Sequence, residues 1–205
     1  MRHAMAFSNA AKAGTALFVA SVQFGLGLVL AEIYYPNYNV STNYISDLGA
    51  TCNSTCVIHE PSSLIFNSSI VLLGLLVLVA AYFLQKAFHW RPLTVVVTIG
   101  GLGAVGVGLF PETTGVWHEI FSAITFLFTG LSAVAAFKVA RPPLSYFSVI
   151  LGLITLASMV LFLGGYYLGL GPGGMERLIV YPVLLWSMGF GGHLMSMQDG
   201  QTPAS

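Results

Sequence analysis

The chain has 205 residues, 56% of them hydrophobic and 7% charged, with a mean hydropathy of +0.84. A soluble domain carries about 25% charged residues, so a water-soluble body is excluded, and the apolar runs fill the chain too completely for one anchored soluble domain. Formal net charge is zero and there is no basic block, which excludes nucleic acid as a partner.

A membrane helix needs roughly 20 mostly apolar residues. Windows at 11–35, 62–87, 92–110, 115–139, 144–170 and 175–197 qualify. The first lacks a small-residue cleavage site and is too long for a signal peptide, so it is read as part of the mature chain. The expected fold is all-α: a polytopic six-transmembrane-helix bundle over residues 1–198 with a short tail at 199–205. Connections at 88–91, 111–114, 140–143 and 171–174 are short and make consecutive helices antiparallel neighbours, whereas the first connection, 36–61, is long. Arg2, Lys12, Lys86, Arg91, Lys138 and Arg141 fall on one side of this map, which basic residues mark as cytoplasmic. Glu32, Asp47, Glu60, Glu112, Glu119 and Glu176 fall on the other; Arg177 and Asp199 are the exceptions. Both termini are therefore expected inside a cell membrane, with the long loop outside.

That loop carries two N-glycosylation patterns, at Asn39 and Asn53, and both cysteines, Cys52 and Cys56. An external loop permits a disulfide between them. Free thiols are the alternative, and a redox dithiol is disfavoured because the spacing is C-x-x-x-C. In the third helix Gly100, Ala104 and Gly108 repeat every fourth residue, a small-residue ridge expected to pack tightly on the fourth helix.

The stretch LFPETTGVWHEIFS, 109–122, concentrates the polar chemistry. His118, Ser122, Thr125 and Thr129 lie at i, i+4, i+7 and i+11, one helical face, which should avoid lipid. Hydroxyls in membrane helices commonly just bond their own backbone, whereas His118 sits at the mouth of the stripe. Arg177, at a helix start where the dipole opposes a cation, needs a carboxylate or an anionic ligand. His193 reads as packing at the opposite end. The expected site therefore gathers Asp47, Glu112, His118, Glu119 and Arg177, with Asn67 and Ser122 beneath. His118, with Glu119 or Asp47 beside it, serves as general base, and Ser122 is the candidate nucleophile, though no Gly-x-Ser-x-Gly elbow surrounds it. Arg177, Glu112, Asn67 and Glu176 are the binding groups. A metal site from His118, Asp47, Glu112 and His59 is disfavoured for want of nitrogen or sulfur ligands, and the composition names no cofactor.

The segments SDLGA (46–50), FNSSIVLLG (66–74), GVGLFPETTGVWHEIFS (106–122) and GGMERL (173–178) occur in that order. Together they resemble the six-helix membrane family known as domain of unknown function 998, found in archaea and bacteria; the likeness spans all six helices. It implies marked polar positions at Asp47, Asn67, Glu112, His118, Glu119, Ser122 and Arg177. Several members of that family carry Asp after the His and Gln before the Arg, where this chain has Glu119 and Glu176. No activity comes with the resemblance. A more distant likeness to the Frag1/DRAM/Sfk1 group implies lipid or GPI-anchor biology.

Three functions compete. One is a polar pocket at outer-leaflet level that binds or modifies a membrane lipid or lipid-like molecule. Another is a non-enzymatic accessory or scaffold subunit, with a partner membrane protein or a second copy. The third is a metal-dependent membrane hydrolase. Transport is disfavoured because the bilayer middle holds no ionisable group.

Overall fold

The apolar windows form six helices: α1 (Asn9–Tyr34), α2 (Ser62–Phe88), α3 (Arg91–Leu109), α4 (Val116–Ala135), α5 (Leu144–Leu163) and α6 (Gly171–Met195). All are long and apolar enough to cross a membrane. This computed structural model describes residues 7–52 and 54–197; Arg2, Asn53, Asp199 and the 199–205 tail lie outside the described residues. Each helix packs on its neighbours in the chain, and α6 returns to α1, so the six close into a ring. Ser8 caps α1 by accepting from the Ala11 amide at 3.0 Å, and its hydroxyl donates to the Met197 carbonyl at 2.7 Å. Both ends of the described chain thus meet at one end of the ring, and the long loop lies at the other.

Helix ends follow local chemistry. Gly115, at φ +60°, precedes α4 in a conformation that suits glycine. α5 stops at Leu163 rather than at 170, because Gly164 and Gly165 (φ +74°) turn the chain out of the helix. α6 begins at Gly171, so the expected connection at 171–174 is its first turn; Pro172 suits that position because its missing N–H would be unpaired there anyway. Inside α6, Pro182 interrupts the backbone ladder, and α5 supplies a donor nearby: Thr155 Oγ1 bonds the Ile179 carbonyl at 2.9 Å.

Small residues set the approach of the helices. A Cβ on Gly14 of α1 would lie 2.4 Å from the Gly191 carbonyl oxygen of α6. The α3 ridge divides differently from the expected one. Gly100 meets Thr129 of α4 as expected, and Gly103 and Gly106 meet Thr125 and Phe121 of the same helix, whereas Gly108 meets Asn67, Ile70 and Val71 of α2. A helix in a closed ring has two flanks to pack, and four-residue spacing in the sequence does not distinguish them.

Two apolar cores result. At the terminal end Ala13, Leu17, Leu84, Leu93, Phe190 and Leu194 pack together. At the loop end the buried members come from α1, the loop, α2 and α3, including Phe24, Leu28, Leu48, Phe66 and Ala104. α4 and α5 contribute no buried member there, which leaves space beside them.

The loop folds down onto this end. Ile45, Leu48 and Ala50 are buried. Ser62 and Ser63 hydroxyls donate to the Leu48 and Gly49 carbonyls at 3.2 and 2.6 Å. The Gly173 amide donates to the Ser41 carbonyl at 2.9 Å. A short antiparallel ribbon, β1 (Thr51–Cys52) and β2 (Cys56–Val57), pairs Cys52 with Cys56, and these two cysteines form a disulfide. Asn39 is exposed, with its Oδ1 accepting from the Ser41 amide at 2.9 Å.

Candidate functional site

The site begins where α3 ends. The last carbonyls of a helix have no partner within it, and one of these orphans, on Phe110, is taken by His118: the ring Nδ1–H donates to it at 2.8 Å. A carbonyl only accepts, so Nδ1 carries the proton in neutral His118 and Nε2 is left as an acceptor. Ser122, one turn along α4, places its Oγ 3.3 Å from that Nε2. The other hydroxyls of the stripe, and Ser132 beyond it, behave as simple membrane hydroxyls. Thr125, Thr129 and Ser132 donate to the backbone carbonyls of Phe121, Thr125 and Phe128 at 2.7, 2.7 and 2.6 Å. Ser122 turns instead to an imidazole.

Beside this pair lies a cavity of about 500 Å³, in the space that α4 and α5 leave at the loop end. Its polar wall includes Tyr44, Ser46, Glu112, His118, Glu119 and Glu176; Phe126, Met159, Phe162 and Leu163 form its apolar side. A second cavity, about 110 Å³ and almost wholly apolar, runs down the ring between α1, α2, α3, α4 and α6. Ser46, Ser122, Phe126 and Glu176 line both.

The acids are positioned by the loop. Glu112 bridges two loop groups, accepting from Ser46 Oγ at 2.6 Å and from the Cys52 amide at 3.2 Å. The disulfide ribbon thus presents its backbone to this carboxylate. Burial holds the Glu112 carboxyl above its ordinary range, against the Ser46 hydrogen bond, and nearby Asp47 adds to the rise. Burial likewise pushes the Tyr44 hydroxyl up to about 12. Glu176 is buried, and its Oε2 accepts from the Ile45 amide. Glu119 is exposed at the cavity's lip.

Three of the expected site residues lie elsewhere. Arg177 turns to α1 and the loop, donating to Glu32 Oε1 at 2.8 Å, the Tyr38 hydroxyl at 2.6 Å and the Val40, Asn43 and Gly173 carbonyls at 3.0, 3.2 and 3.0 Å. Asp47 serves its own loop, accepting from Asn43 Nδ2 at 3.0 Å and the Tyr44 amide at 2.9 Å. Asn67 faces Gly49 and Ser63, with Nδ2 donating at 3.4 and 3.2 Å. None of the three lines either cavity. His59 packs its ring against Tyr35, centroids 4.5 Å apart, and lines neither cavity. Among the described residues no three His, Cys, Asp or Glu side chains converge as a metal site. His193, at the terminal end, accepts from the Arg141 amide at 3.4 Å. Ser46, Tyr44, Phe126 and Met159 were not singled out from the sequence. Only Ser46 had a local signal, as the neighbour of Asp47, and Phe126 stands one turn beyond Ser122.

Six membrane-length helices closed into a ring define a polytopic membrane protein. The family model described as "Protein of unknown function (DUF998)" matches residues 18–193, so the chain belongs to that family. The match runs from α1 to α6 and includes every residue of the site above. Comparison with curated proteins and with solved structures found no match.

Proposed function

We propose that the protein binds an amphiphilic lipid at the loop end of the ring, with its head in the polar cavity and its tail entering the apolar one. One observation carries this reading: the two cavities meet at Ser46, Ser122, Phe126 and Glu176. Such a change of lining from one cavity to its neighbour suits an amphiphile. The lining also selects the head group. Among the described residues no lysine or arginine faces either cavity, whereas Glu112, Glu119 and Glu176 do. Arg177, the expected anion holder, is engaged by Glu32 and backbone carbonyls. A hydroxylated or amine-bearing head suits these acceptors, and a bare phosphate does not.

The experiment is lipid mass spectrometry on protein extracted in mild detergent. A particular lipid should be enriched over the bulk membrane, and Ala123→Phe, which adds bulk at a lining position of the larger cavity, should reduce that enrichment at least tenfold with little change in melting temperature. Bulk lipid composition in the wild type would sink the proposal. A scaffold role is the second reading, favoured by the bonds that tie Asp47 and Arg177 to the loop. It predicts bulk lipid together with a stoichiometric partner protein.

The basic side of the map implies that the loop end faces outward from the cell membrane. A cysteine introduced at Thr42, in the exposed part of the loop, should react with an impermeant thiol reagent in intact cells, and one at Phe7 should not. The reverse pattern would invert the topology.

A further inference from the structure

We infer that Ser122 and His118 form a nucleophile–base pair that cleaves an ester linkage in the bound amphiphile. This deepens the lipid-binding reading and rests on it for the substrate class.

The parts of an activated serine are present. The nucleophile lies within reach of a base, and the base is oriented by a third group, the Phe110 carbonyl, which fixes the tautomer that leaves Nε2 free. His118 is buried, so its ring is held in this arrangement. Ser122 lines both cavities, whereas Thr125, Thr129 and Ser132 spend their hydroxyl protons on the helix backbone. The position of Ser122 also matches the substrate. In an acylated amphiphile the ester joins the polar head to the apolar chain, and Ser122 stands where the polar cavity meets the apolar one.

The reaction balances with water as the second substrate. Ser122 Oγ bonds to the ester carbonyl carbon while its proton passes to His118 Nε2. The tetrahedral adduct collapses, the bond from that carbon to the head-group oxygen breaks, and Nε2–H gives its proton to the departing alcohol. Water then gives a proton to Nε2 as its oxygen bonds to the acyl carbon. Oγ leaves that carbon and takes the proton back, releasing a carboxylic acid. The sum is ester plus water to alcohol plus acid, with no oxidant or metal consumed.

The test is covalent labelling with a long-chain alkyl fluorophosphonate in native membranes, read by peptide mass spectrometry. The expected result is phosphonylation at Ser122 with none at Thr125, Thr129 or Ser132, and no label at this position in Ser122→Ala. In His118→Gln, the labelling rate should fall about 100-fold or more, the usual loss when a general base is removed. If that variant does not fold, the wild-type rate against pH decides: it should rise with the loss of a single proton. Folded wild-type protein that stays unlabelled at Ser122, or a pH-independent rate, overturns the pair as a catalyst. Lipid mass spectrometry on the same preparations separates the two proposals. An enriched lipid with no label removes the reaction and leaves the binding, while label without an enriched lipid removes the proposed substrate class with it.

Discussion

Replacing Arg177 by lysine will destabilise the folded protein by about 3 kcal/mol, although the charge is conserved. The guanidinium makes five hydrogen bonds, to Glu32, Tyr38, Val40, Asn43 and Gly173. Two nitrogens on a planar fork divide these partners between them: Nη2 takes the side chains from α1 and the loop, and Nη1 takes the carbonyls. A lysine ammonium is a single point with three donors and cannot reach both sets. At least two partly buried acceptors are then left unpaired, at about 1–3 kcal/mol each. Arg177→Met should destabilise as much or more, because it also removes the partner of Glu32. Thermal melting in detergent reads both, and a lysine variant that melts with the wild type would refute this account. The cavity wall is a separate matter. Arg177 does not line it, so any lipid bound by the folded fraction of Arg177→Lys should be unchanged in identity.

Gly173→Ala should be comparably severe. An added Cβ would lie 1.9 Å from the Asn43 carbonyl oxygen and 2.8 Å from that of Val40. Both obstacles are backbone, and both carbonyls are held by Arg177. The loop must move away from α6, which breaks the bond from the Gly173 amide to Ser41. A loss of about 3 kcal/mol follows, at the upper end of what overpacking usually causes. Limited proteolysis within the loop should become faster in step with the fall in melting temperature. Gly192→Ala is the control, since no atom of the described residues lies within 4 Å of its added Cβ. Because Gly173 and Arg177 fasten the same loop, the double variant should lose clearly less than the sum of the singles. Additive losses would mean that the two contacts act independently.

The helices were legible in the sequence because the requirement they meet is local. Apolar length fixes a span, and every backbone group in it must bond within the helix. The face shared by His118, Ser122, Thr125 and Thr129 follows from helical spacing alone, and Cys52 and Cys56 are close enough in the chain to meet without any tertiary argument. What each polar side chain touches is another matter. Glu176 and Arg177 are adjacent in sequence, yet about 100° apart around α6, so one lines the cavities and the other binds α1 and the loop. The sequence offered no means of choosing which, because rotation of a helix about its axis is set by its neighbours. Ser46 and Asp47 divide in the same way, the first toward Glu112 and the second back into its own loop. Only the tertiary structure decided that the stripe on α4 contains one hydroxyl bonded to a histidine and two bonded to backbone, and that α4 and α5 leave a cavity beside it. Spans and faces depend on local periodicity; cavities and partners depend on which surfaces distant segments present to one another once the ring has closed.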